Sequence, residues 1–331
     1  MSLVIAKIID GRIIIKSDSQ LNNPNILKQN PTSTVLKVIV VSPTITVCFA
    51  GGVEFAHKAV REVFNKLKEV PDTPPIEIGL ILKAYSEHDG QVDFILAVSE
   101  MSQSRLYKIS DGLVITEMTS AWIGEHEGFA LFQSLYIANQ SHDLSHKAKC
   151  GHFSKAFKGV VSSRKIPSID GFQIGIASSN INGKFKYSIS GEIATPAQSV
   201  SADAEIQMVF GDSASGGYAV SQFATSEHDT PALAIHFSQL EMGILYIPSR
   251  SLDAIRIDKL NGLDFIEEVY QQYGIELQGL LIDLGHDKII NIGNVDFNYE
   301  LAHSSDEPVV VTMNRTSGKG HQRGAQGKDQ G

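Results

Sequence analysis

Asp10-Gly11 stands between two runs of largely β-branched residues, Leu3 to Ile9 and Arg12 to Lys16. A two-residue turn of this type needs positive φ at both positions, which Asp tolerates and Gly adopts freely. The chain is therefore committed to an antiparallel hairpin here. A polar loop rich in Asn and Pro, Asn22 to Ser33, separates it from a second pair, Val35 to Val41 and Ile45 to Ala50, joined by Ser42-Pro43-Thr44. Gly51-Gly52 breaks the second pair.

The apolar period then changes. Val53, Ala56, Val60, Val63, Phe64 and Leu67 recur at helical spacing, and prolines at 71, 74 and 75 end that helix. A second helix is expected over Ile76 to Ser86, followed by strands over Asp93 to Ser99, Arg105 to Ile109 and Leu113 to Met118. Gly124 precedes a helix over Phe129 to Asn139; another covers His152 to Ser163, with strands at Phe172 to Ala177 and Lys184 to Ser190. Strand pairs alternating with helix pairs describe an α+β fold with two sheets covered by helices on their outer faces.

Beyond residue 195 the rhythm loosens. Strands are expected at Ala204 to Phe210, Gly217 to Ala224, Leu233 to Phe237, Gly243 to Ile247 and Val309 to Met313. An amphipathic helix over Leu263 to Tyr273 puts Leu263, Ile266, Val269 and Tyr270 on one face and ends at Gly274. The organisation read from this is a core over 2–195, an appended α/β element packed on it over 196–313, and a disordered tail over 314–331, which is Gly-, Gln- and Lys/Arg-rich without apolar period.

Composition excludes several classes. A net charge of −9 argues against nonspecific nucleic-acid binding. No apolar run is long enough to span a bilayer, and no basic segment followed by an apolar stretch marks a secretory signal, so no membrane partner and a cytoplasmic location are expected. The two cysteines, Cys48 and Cys150, read as reduced thiols.

In this order the residues resemble the β-type proteasome subunits and the bacterial HslV peptidase, over about residues 2–190. The resemblance is carried by Ser2, Asp18 at the end of the second strand, Lys37 opening the third, Cys48-Phe49-Ala50-Gly51-Gly52 closing the fourth, and Ile123-Gly124-Glu125-His126-Glu127-Gly128 before a helix. It implies a four-layer αββα sandwich of the N-terminal-nucleophile (Ntn) hydrolase type, a peptide or protein substrate, assembly of identical subunits into a ring, and no cofactor or metal. Ser2 would be the nucleophile once Met1 is removed, its own α-amine serving as base, since such an amine titrates at about 7.7–8.0. Lys37 would lower the proton affinity of the hydroxyl, Asp18 would hold Lys37, and the Gly51 N–H would stabilise the oxyanion. Phe49 and Val53 would line an apolar first pocket.

Two departures matter. The family has a serine after the glycine matched here to Gly124, and this chain has Glu125. The family's later Asp-x-x-Ser-Gly-Gly run has two counterparts: Asp212 and Ser215 match in letters, whereas Asp170-Gly171 sits at the expected distance. The alternative to an enzyme is a non-catalytic structural or regulatory subunit of the same type. Three further patterns are set aside. Ser213-Ala214-Ser215-Gly216-Gly217 carries an insertion relative to a chymotrypsin-like nucleophile loop. Ser226-Glu227-His228-Asp229 reads as a polar turn, because neighbours in sequence rarely make a triad. His142, His146, Cys150 and His152 would place three side chains on one face of a helix, and zinc accepts such ligands, but Gly151 and the polar surroundings favour a solvated connection.

Overall fold

The computed structural model describes residues 2–19, 34–89, 92–100, 103–117, 119–138, 145–163, 166, 168–169, 171–179, 182–194, 218–225, 231–258, 260–283, 288–293 and 310–313. Strands β1 (Leu3–Ile9) and β2 (Arg12–Asp18) form the first hairpin, with Asp10 at φ 48° and Gly11 at φ 79°; β3 (Val38–Ser42) and β4 (Ile45–Gly51) form the second pair. Helices α1 (Val53–Glu69) and α2 (Pro75–Asp89) follow. Next come β5 (Val92–Ser99), β6 (Ser104–Ser110), β7 (Leu113–Glu117) and β8 (Ser120–Gly124). Helices α3 (His126–Ala138) and α4 (His146–Val161) lead to β9 (Gln173–Ser178), β10 (Phe185–Tyr187) and β11 (Ser190–Ala194). The remainder comprises β12 (Tyr218–Thr225), β13 (Leu233–Phe237), β14 (Met242–Ile247), β15 (Ser251–Asp258), helix α5 (Gly262–Tyr273), β16 (Leu277–Asp283), β17 (Lys288–Ile292) and β18 (Val310–Met313).

These elements make a mixed α+β fold with three open sheets. The first runs β10-β9-β2-β1-β8, the second β3-β4-β5-β6-β7, and the third β15-β14-β13-β12-β16-β17-β18 with β11 also paired to β12. All pairings are antiparallel except β17 with β18.

β1 is buried on both faces, and its two faces enter different cores. Val4 and Ala6 join Val47 and Ile95 of the second sheet, while Leu3 and Ile5 join Phe132 of α3 and Phe153 and Phe157 of α4. Because strand side chains alternate, that division puts the second sheet on one side of β1 and the α3–α4 pair on the other. Helices α1 and α2 pack on the second sheet. The third sheet contributes Val220, Leu233, Ile235 and Tyr246 to the same cluster as Val4, and its opposite face packs with α5 around Phe223, Leu245 and Phe265.

Several boundaries differ from the sequence reading. The third strand begins at Val38 rather than Val35, and α3 begins at His126 rather than Phe129. Helix α4 starts at His146, capped by the Ser145 hydroxyl on the Ala148 N–H, so His146, Cys150, Gly151 and His152 lie within a helix and not a connection. On α5, Phe265, Ile266 and Val269 are buried, while Leu263 and Tyr270 of the expected apolar face are exposed. Phe265 fills space left bare on β14, where a side chain at Gly243 would sit 2.1 Å from its ring. The sequence pattern marks none of the strands β8, β11, β15, β16 and β17. The expected strand over 204–210 and the tail over 314–331 lie outside the described residues. Among the described residues no helix is long and apolar enough to cross a membrane.

Candidate active site

The ends of four strands converge where β1 begins. Asp18, the last residue of β2, is wholly buried, and its two carboxylate oxygens have different partners. Oδ1 accepts the Leu3 N–H at 2.9 Å, and Oδ2 accepts the Lys37 ammonium at 2.6 Å. The amide so held is the one that follows Ser2, which places Ser2 one peptide unit from the ion pair. Lys37 precedes β3 and is 2% exposed, more deeply buried than an edge lysine; its carbonyl accepts the Phe49 N–H of β4 at 3.0 Å. Burial pushes the Asp18 carboxyl up and the Lys37 ammonium down, and each is opposed by the charge of the other. Removing two such charges from water costs several kcal/mol per ion, a penalty that good geometry offsets only in part. A plain core would place apolar groups here instead.

Gly124 closes the site from the other side. It ends β8, pairs with Leu3 and has φ 95°. A side chain there would come within 1.9 Å of the Ser2 carbonyl oxygen and 3.2 Å of the Ala50 side chain. The start of β1, the end of β4 and the end of β8 therefore meet at one point, and only glycine permits so close an approach. The next residue continues the contact: the Glu125 N–H donates to the Ser2 carbonyl at 2.8 Å, and the Glu125 carboxylate accepts the Ser168 hydroxyl at 3.0 Å. Ser19, after Asp18, anchors the floor, its carbonyl accepting from the Val35 N–H and its hydroxyl from the Phe172 N–H.

Ser2, Asp18, Lys37 and Ala50 are thus brought together, with Gly51 next in the chain after Ala50. Ser2 is 8% exposed, whereas Gly51 is exposed, with φ 108°. Phe49 is fully buried in the main core, edge-on to His57, and Val53 is half-buried at the first position of α1. Asp170, Asp212 and Ser215 lie outside the described residues; Gly171 adopts φ 86°. Sequence reasoning missed Ser19 and Ser168. Ser19 adjoins Asp18 and a search of that neighbourhood would have reached it, but nothing local marks Ser168.

The site can hold a positive charge at a fixed place beside the first residue of β1, shielded from water. Among the described residues no group of three or more His, Cys, Asp or Glu side chains could hold a metal ion. No protein-family model matches the sequence, and no curated protein matches it.

Proposed function

We propose that the chain is an Ntn amidohydrolase built as a four-layer αββα sandwich, cleaving peptide bonds through Ser2 within a ring of identical subunits. One observation carries this reading: a buried carboxylate, Asp18, grips both the Leu3 amide next to Ser2 and the Lys37 ammonium. A purely structural strand end has no use for a desolvated ion pair aimed at its first residues.

In the proposed reaction, cutting the Met1–Ser2 bond frees the Ser2 α-amine. That amine takes the hydroxyl proton as Oγ bonds to the carbonyl carbon of the substrate. The oxyanion rests on the Gly51 N–H, and the Lys37 charge favours the alkoxide. The amine then gives its proton to the leaving nitrogen as the C–N bond breaks, leaving an ester on Ser2. Water, deprotonated by the same amine, hydrolyses that ester and restores the hydroxyl.

Hydrolysis of a panel of fluorogenic peptide amides tests the proposal. Ser2→Ala should abolish turnover, and Lys37→Arg should lower kcat with far less effect on KM, because the planar guanidinium cannot replace a compact ammonium. Turnover unchanged in Ser2→Ala would refute the site. Two observations favour a non-catalytic subunit instead: Ser2 is 8% exposed, and Glu125 stands where a proton-shuttling serine is expected. Glu125→Ser separates the two, since it should raise turnover in an enzyme and do nothing in a scaffold.

A further inference from the structure

The opposite end of the first hairpin carries a cluster that the proposed hydrolysis does not use. Asp10, in the turn, accepts the Lys149 ammonium on Oδ1 at 2.7 Å, and its Oδ2 lies 3.3 Å from His146 Nδ1. His146 Nε2 lies 3.4 Å from Cys150 Sγ, one helical turn along α4. The chemistry of the donors fixes the arrangement. An ionised carboxylate only accepts, so in the neutral ring Nδ1 carries the proton and Nε2 keeps its lone pair towards the thiol. Residues 136 apart in sequence thus place a nucleophile, a base and a group that orients the base in one line.

We propose that Cys150 is a site of S-thiolation by low-molecular-weight disulfides, with His146 as the base and Asp10 as the residue that positions it. His146 Nε2 takes the thiol proton as Sγ attacks one sulfur of the disulfide R–S–S–R. The Cys150–S–S–R bond forms, the S–S bond of the reagent breaks, and the departing thiolate takes the proton back from His146 and leaves as R–SH. Cys150 is half-buried, which pushes its thiol up, with Arg12 and Lys16 pulling the other way and Asp10 adding to the rise. Little thiolate stands ready, so removal of the proton at the moment of attack decides the rate. The charged groups acting on the thiol are Asp10, Arg12 and Lys16 of the hairpin, with His146 of α4 against it and Lys149 held on Asp10; Tyr136 of α3 packs in the same cluster.

The chain has two cysteines, and the second, Cys48, is fully buried and pushed far up by burial, so it is a built-in control. The folded chain is treated with oxidised glutathione and, separately, with iodoacetamide, and each cysteine peptide is followed by mass over a range of pH. Cys150 should react and Cys48 should not. Near neutral pH, His146→Ala should slow Cys150 about a hundredfold. Asp10→Asn should also slow it, because an amide can donate to Nδ1 and move the ring proton to Nε2. All three rates should converge at high pH, where the thiol ionises without help. That convergence separates proton transfer from mere access. Equal neutral-pH rates in wild type and His146→Ala, or variant rates reduced by one factor at every pH, would overturn the proposal. Unchanged thermal melting of the His146→Ala and Asp10→Asn proteins confirms that the comparison is made on folded chains.

Discussion

The β1–β2 hairpin has an aspartate–lysine bond at each end, and the two are almost equal in length: 2.6 Å for Asp18–Lys37 and 2.7 Å for Asp10–Lys149. Their surroundings differ completely. Asp18 and Lys37 are 0% and 2% exposed, whereas Asp10 and Lys149 are 45% and 36% exposed. At the wet end the lysine simply holds the Asp10 carboxyl below its usual range. At the dry end desolvation outweighs the partner charge and pushes the Asp18 carboxyl up. Equal distance therefore does not mean equal energy. The dry pair is a fixed electrostatic device, and the wet pair is an adjustable tether.

The largest expected effect breaks the dry pair. Lys37→Met should lower folding stability in urea titration by about 3–5 kcal/mol, since it strands a buried carboxylate. The glycines flanking β1 extend the contrast. Gly124→Ala should lose about 1–3 kcal/mol to overpacking against the Ser2 carbonyl, beyond the left-handed strain. Gly11→Ala, with nothing within 4 Å of its Cβ, should show only the strain, about 1–2 kcal/mol. The double variant Asp18→Asn/Lys37→Met keeps an acceptor for the Leu3 N–H and should lie within about 1 kcal/mol of wild type, or above it.

That double variant also sharpens the pH dependence. The folded Asp18 carboxyl is raised, so as pH climbs past about 3.9 the unfolded chain releases its proton first, and wild type should lose stability relative to the double variant. Wild type that holds or gains stability relative to the double variant over that window would contradict the account. The smallest effect belongs to the wet end. Asp10 is lowered, so its contribution is present above the ordinary carboxylate value and fades as pH falls. Being exposed, Asp10→Asn should leave the melting midpoint near neutral pH unshifted within error.

Local signals made the first hairpin, α1 and the helix over Leu263 to Tyr273 with its end at Gly274 legible in the sequence, because turn residues, C-terminal glycines and apolar spacing act over a few residues. The strands that escaped notice depend on distant partners. β8 reads as a short mixed segment before Gly124 and becomes a strand only by lying along β1. β16 carries Gly279 in its middle and is held between β12 and β17. The site divides in the same way. Ser2, Asp18, Lys37 and Gly51 were named by the family resemblance and not by any local pattern, and of these Asp18 and Lys37 meet. The grip of Asp18 on the Leu3 amide, the contact of Gly124 with Ser2 and the Ser168–Glu125 bond are products of folding and leave no local mark. Helix α5 shows the limit of periodicity, since the space that Phe265 fills is left by Gly243 on another strand and leaves no mark in the helix's own sequence.

The proposal of an Ntn nucleophile comes down to the state and reactivity of Ser2, and one measurement addresses both: the mass of the intact chain and of its first peptide before and after treatment with a β-lactone. The account predicts a chain lacking Met1 that gains one adduct on Ser2, with no adduct in Ser2→Ala and slower labelling in Lys37→Arg. A chain that keeps Met1 and gains no adduct, or an adduct that survives Ser2→Ala, would contradict it.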